Sequence, residues 1–182
     1  MRERAAGRSE LECFVLGLVW QLGPCSPYEL RAQMARSPST QWSASAGAIY
    51  PLVRRLQRAG LLTSASARTG RRQRREYRIT ATGKRVLRRW IGPPLSQQAV
   101  TVSHDPLRTR SRFLGLLDPA ERKAWVAAAL RALDEVERQV RIWAEEVGDP
   151  DDPFATCLTH SGKLDVAGRR RWLGFVHEAI RS

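Results

Sequence analysis

The sequence predicts a mainly α-helical fold with a single two-stranded β-hairpin, followed by a second, all-helical domain with a coiled-coil-like seam. Three observations predict it. Apolar residues recur at helical spacing over most of the chain. An arginine-rich hairpin interrupts that spacing between Arg68 and Arg78. The whole excess of positive charge lies before the break at Gly92-Pro93-Pro94. The expected organisation is a first domain over residues 1–92, a linker over 93–106 and a helical domain over 107–182.

Length and charge set the limits. The chain has 182 residues, which suits one domain or two small ones. Its formal net charge is +13. Residues 1–92 hold 18 Lys/Arg against 5 Asp/Glu, and residues 93–182 hold 13 of each. Uniform basicity would suggest indiscriminate adhesion. This asymmetry suggests one half that meets a polyanion and one half with another task. No stretch approaches the roughly 20 apolar residues of a membrane span. Met1-Arg2-Glu3-Arg4 leads into no secretory apolar segment. Cys13, Cys25 and Cys157 form no zinc-like spacing, and their number is odd. Free thiols in a reducing cytoplasm are the simplest expectation.

The first helix opens on Ser9-Glu10-Leu11-Glu12, a capping box in which serine is followed three residues later by glutamate. Leu11, Val15, Leu18, Val19 and Leu22 then repeat at helical spacing until Gly23-Pro24, with Cys13 as a small buried or half-buried residue. Ser26-Pro27-Tyr28-Glu29 is a second box, with proline at the first helical position, where it forfeits no bond. Leu30 and Met34 are its inward residues. The start of this helix, near Tyr28, is expected to offer free N–H groups to a phosphate, with simple packing as the equal alternative for Tyr28. Pro38 to Ser43 reads as a turn, with Trp42 as a packing residue.

The third helix runs from Ser45, its expected N-cap, to Gly60, which suits the left-handed position that ends a helix. Ile49, Leu52, Val53 and Leu56 share its buried face, which leaves Tyr50, Arg54, Arg55 and Arg58 to meet a partner. Pro51 predicts a kink within the first two turns, relieved at Gly47. A strand over Leu61–Ser66, a basic loop over Thr69–Arg75 and a strand over Glu76–Thr80 follow. The stretch from Arg68 to Arg78 carries Arg68, Arg71, Arg72, Arg74, Arg75 and Arg78 against Glu76. Like charges at that density repel, and phosphate contact relieves the repulsion by releasing counterions. Thr80-Ala81-Thr82-Gly83-Lys84 opens a fourth helix, with Val86, Leu87, Trp90 and Ile91 inward. A helix beside a basic two-stranded wing is a means of gripping a nucleic-acid duplex, so a winged helix-turn-helix domain is expected.

The combination is specific. GAIYPLVRRLQRAGLL, an Arg-rich hairpin and REYRITATGKRVL together resemble the PadR family of bacterial transcriptional regulators. SPYEL at 26–30 resembles that family's second helix, with Pro27 where glycine commonly precedes the tyrosine. The resemblance covers about residues 9–92. It departs at Ala46, where many relatives have proline, and at Gln57-Arg58, where an acidic residue often follows the leucine. DPLRTRSRFLGLLDPAER resembles the C-terminal region of the longer members.

In the second half, residues 107–117 suggest a short helix with Phe113, Leu114, Leu116 and Leu117 apolar, and Asp118-Pro119 caps a longer one. Val126, Leu133, Val140 and Val147 recur every seven residues, as do Ala129, Val136 and Trp143, offset by three. This a/d pattern is widened by Leu130. Such a seam can pack within the chain, on residues 107–117 and 172–180, or can pair two chains. The regular spacing, and a resemblance to a family that dimerises through this region, favour a homodimer. Asp149–Pro153 is a loop, and a last helix is expected from about Val166.

These readings give a regulator, by resemblance a repressor, that binds an inverted-repeat DNA operator as a homodimer. Expected phosphate contacts are Arg71, Arg72 and Arg74 in the wing and Tyr28. Expected base contacts are Ser43, Ser45, Gly47, Tyr50 and Arg54, with Arg55 and Arg58 on the backbone. The expected dimer seam is Val126, Ala129, Leu133, Val136, Val140, Trp143 and Val147. The resemblance also implies a small aromatic effector. Trp90 and Trp143 are candidates to stack on it, against a plain core role. Alternatives are a protein whose main role is ligand capture and an RNA-binding protein. His104, His160 and His177 show no ligand spacing or nucleophile motif, and Asp149, Asp151 and Asp152 lack the closing glutamate of a calcium loop. No catalytic residue, metal site or cofactor is expected.

Overall fold

Both capping boxes form as spelled. In the computed structural model, which describes residues 8–69, 72–95, 97–100 and 104–181, Glu12 N–H donates to Ser9 Oγ and Ser9 N–H returns to the Glu12 carboxylate. They open α1 (Glu10–Leu22). Ser26 and Glu29 do the same for α2 (Pro27–Ala35), with Pro27 in its first turn. The expected turn at 38–43 is largely helical instead. It holds α3 (Thr40–Ser45) and a 3-10 turn over Ala46–Ala48. Next come α4 (Ile49–Arg58), β1 (Leu62–Thr69), β2 (Arg72–Ile79), α5 (Ala81–Ile91) and the short α6 (Gln97–Val100). The chain divides into two compact units, Met1–Val100 and Thr101–Ser182.

The late start of α4 removes the kink. Pro51 is its third residue, where an amide has no intrahelical partner to lose. Ser45 is not its side-chain cap. The Ser45 hydroxyl donates back to the Gln41 carbonyl within α3 at 2.7 Å. The end of α4 is as expected: Gly60 has φ +70°. Leu61 N–H reaches the Leu56 carbonyl and Gly60 N–H the Gln57 carbonyl, a Schellman closure that delivers the chain into β1.

Ile49, Leu52, Val53 and Leu56 are buried as their spacing requires, against Val15, Leu16 and Val19 of α1 and Leu30 and Met34 of α2. Leu16, outside the assumed face of α1, is fully buried, while Leu22 is exposed. On α5, Leu87 is buried but Ile91 points outward. One hydroxyl closes the domain. Thr80 Oγ1 bonds the Gly60 and Leu61 carbonyls at 2.7 and 3.1 Å and accepts the Gly83 N–H at 3.0 Å, tying the end of α4 to the start of α5.

β1 and β2 pair antiparallel from Leu62↔Ile79 to Thr69↔Arg72. The wing is therefore a ribbon of eight residues on each side, and Arg72, Arg74 and Arg75 are strand residues rather than loop residues. At its base Cys25 adds a third, one-residue strand: Cys25 N–H donates to the Tyr77 carbonyl at 3.1 Å and Tyr77 N–H returns at 2.8 Å.

The second unit holds α7 (Pro106–Ser111), a 3-10 turn at Leu114–Leu116, α8 (Pro119–Val147) and α9 (Pro153–Ala179). α9 begins well before the expected Val166, at the proline that follows its Asp152 cap. α8 and α9 run antiparallel: Val126 clusters with Val176, and Val140 with Val166. Most of the seam packs within the chain, the alternative its spacing left open. Val126, Ala129, Leu133 and Val140 are buried within the chain, with Val166, Leu173 and Val176 of α9. Trp143 and Val147 are half-buried, and Val136 is 39% exposed. Among the described residues, no helix is long and apolar enough to cross a membrane.

Candidate nucleic-acid interface

Burying Ile49, Leu52, Val53 and Leu56 turns the other side of α4 outward. Tyr50 is 47% exposed, and Arg54 and Arg58 are exposed further along. Arg55 is drawn toward α1, with its Nε 4.0 Å from Glu12 Oε1. At the approach to α4, Gly47 is exposed, and a Cβ there would meet nothing within 4 Å. Ser43 and Ser45 spend their hydroxyl donors on carbonyls of their own turn, Ser39 and Gln41. Each keeps acceptor capacity. Gln57 Nε2 donates to Ser64 Oγ at 3.0 Å, fixing α4 against β1.

Tyr28 stands exposed in the first turn of α2. Beside it, Glu29 Oε2 already receives Ser26 N–H at 2.7 Å and Ser26 Oγ at 2.8 Å. Those bonds, the backbone one first, and then the nearby Arg74 hold the Glu29 carboxyl below the usual carboxylate range. This helix start therefore carries its own carboxylate beside the N–H groups expected to meet a phosphate.

The wing is less uniform than its composition. Arg75 and Arg78 are exposed. Arg74 is occupied: its Nη2 lies 2.6 Å from Glu76 Oε1 and its Nη1 3.6 Å from Glu29 Oε1. That departs from its expected role as a phosphate ligand. Arg71 and the side chain of Arg72 lie outside the described residues. Sequence reading missed Glu29 and Glu76 as partners of Arg74, and it left Arg75 and Arg78 out of the contact set. Period-two alternation was the available signal, since it puts Arg74, Glu76 and Arg78 on one face.

The tryptophans divide. Trp42 stacks on Phe14 with ring centroids 4.1 Å apart, a packing role as expected. Trp90 belongs to the first unit and donates from Nε1 to Glu10 at 3.1 Å. Trp143 belongs to the second unit, where it is half-buried on α8. Among the described residues, no group of three or more His, Cys, Asp or Glu side chains could hold a metal.

Residues 15–89 match the transcriptional regulator PadR-like family. The chain carries a PadR-like domain. The match takes in most of α1, the whole wing and α5 up to Arg89. Comparison with curated proteins found no match. Among solved structures, the chain resembles Bacillus subtilis PadR in complex with operator DNA, at 18% identity over 95% of this chain and 98% of that one, with a TM-score of 0.71. It resembles B. subtilis PadR in complex with p-coumaric acid at 20% identity, over 94% and 99%, with a TM-score of 0.73. The PadR-like regulator BC1756 from Bacillus cereus is similar at 18% identity, over 94% and 98%, with a TM-score of 0.67. At these identities the likeness is one of fold, and it extends beyond the PadR-like domain into the helical second half.

Proposed function

We propose that this PadR-like chain is a DNA-binding transcriptional repressor that acts as a homodimer on an inverted-repeat operator. One observation carries the reading. An exposed helix face with Tyr50, Arg54 and Arg58 shares a domain with a two-stranded arginine ribbon, and that half of the chain holds the entire net charge. The ribbon arginines suit phosphate, and the α4 residues suit base edges. The fold shared with PadR in complex with operator DNA supports the assignment.

We place the dimer surface on α9. α8 spends its heptad residues on α9 of its own chain, whereas α9 turns Phe154, Leu158, Leu164 and Phe175 outward. Side chains of that size, exposed along one helix, suit pairing with a second copy. A C2 pair presents two α4 helices to half-sites about one duplex turn apart.

Selection of bound duplexes from a random pool tests the function. The expected product is an inverted repeat, and a pool that shows no enrichment overturns the reading. RNA of equal length should compete poorly with the selected duplex, whereas equal competition would favour the RNA-binding alternative. A small aromatic effector is the second reading, supported by the fold shared with PadR in complex with p-coumaric acid. Saturable quenching of tryptophan fluorescence by phenolic acids is its expected sign, and absence of quenching retires it.

A further inference from the structure

We propose that Arg74 is a positioning residue, a tether that holds the wing against the start of α2, and not itself a phosphate ligand. The inference rests on the DNA-binding reading for its consequence, though its geometry stands alone. Arg74 lies on β2 opposite Ala67, well along the ribbon from the Cys25–Tyr77 bridge. Its guanidinium sits between two carboxylates from different elements, Glu76 of β2 and Glu29 of α2.

The two oxygens of Glu29 divide the work. Oε2 is held by the Ser26 N–H and hydroxyl, which leaves Oε1 for Arg74. The glutamate that completes the capping box of α2 is thereby also the anchor of the wing. The backbone bridge from Cys25 to Tyr77 and the side-chain bridge from Glu29 to Arg74 join the same two elements at two levels. Two such contacts restrict the hinge that one would permit.

The same cluster disfavours phosphate. One guanidinium between two carboxylates leaves the cluster with a net negative charge. A phosphate approaching Arg74 meets Glu29 and Glu76 at close range, and like charges repel. Binding there would release little counterion, so Arg74 should not add to the salt dependence of DNA binding. Among the wing arginines whose side chains are described, Arg75 and Arg78 are left to add to it.

Three variants test the tether: Arg74→Ala, Glu29→Gln with Glu76→Gln, and all three together. Glutamine still closes a capping box, so α2 keeps its start. Amide exchange without DNA reads the tether itself. Arg74→Ala should speed exchange at Cys25 and Tyr77, and unchanged exchange overturns the proposal. The salt dependence of duplex binding reads the consequence. Arg74→Ala should lower affinity several-fold at an unchanged slope of log K against log salt. The double variant should steepen the slope by about one by releasing Arg74 to phosphate, and the triple variant should return it to the wild-type value. A slope that Arg74→Ala flattens by about one, or that the double variant leaves unchanged, overturns the proposal. A wild-type protein with no salt-dependent duplex binding would sink the DNA reading instead, and the exchange result would still decide the tether.

Discussion

Arginine residues in one hairpin need not share one job. Arg74 is clasped by two acids, while Arg75 and Arg78 are exposed and no such clamp holds them among the described residues. Arg71→Ala with Arg72→Ala should weaken binding to every duplex and reduce the salt slope by about two, near 0.9 for each lost phosphate contact. A double variant with wild-type affinity and slope would remove these two arginines from the interface. Tyr50→Phe should instead change which duplex is preferred at a constant slope, since base-edge contacts release no counterions. Gly83 is a test of packing. A Cβ there would run into the Leu61 carbonyl oxygen and lie 2.8 Å from Ile79 Cγ1. Gly83→Ala should therefore cost about 1–3 kcal/mol in denaturant unfolding. The thiols give a pH test. Burial first, then nearby glutamates, pushes Cys13 and Cys25 up to about 11 from an ordinary 9.0. The folded chain then keeps protons that the unfolded chain loses. Their contribution to stability should fall as pH rises from 9 toward 11, and Cys13→Ala with Cys25→Ala should remove that part of the decline. Residue types were legible in the sequence, but their partners were not. Ser45 before a helix looks like a cap, and only the course of α3 reveals that its hydroxyl turns back to Gln41.

At the scale of elements, local chemistry was readable wherever it is closed within a few residues. Both serine–glutamate boxes and the Gly60 stop depend on neighbours in sequence, and they formed as spelled. Pro51 was misplaced because the start of α4 depends on how α3 and the Ala46–Ala48 turn pack, which spacing alone does not encode. The heptads of α8 show the same limit. An a/d seam looks alike whether its partner is another chain or an antiparallel helix of the same chain, and the loop at Gly148–Asp152 returns α9 onto it. The first half of α9 escaped notice because Phe154, Leu158 and Leu164 point outward and leave no buried stripe to read. That exposed face makes the prediction. Leu158→Glu with Phe175→Glu should yield a monomer in sedimentation with helical content intact. A dimer that survives both charges would place the interface elsewhere. Leu173→Ala, within the buried face, should instead cost about 2–5 kcal/mol of the second unit's stability.

For the whole molecule, the distribution of charge carries the argument further than any single contact. The basic half is also the half whose fold offers a helix and a ribbon to a duplex, and the neutral half offers a helix pair with four large apolar side chains of α9 exposed. In the proposed dimer, two heads need an operator with matching symmetry, and variants that separate the chains should lower affinity for the paired site far more than for a half-site. The most direct test is a titration of labelled duplex DNA, carrying the selected site or random sequence, with the intact protein at several salt concentrations. Saturable binding that weakens linearly in log salt, with the selected site held far more tightly than random duplex, is the predicted result. A protein that leaves both duplexes unbound at low salt would contradict the account at its centre.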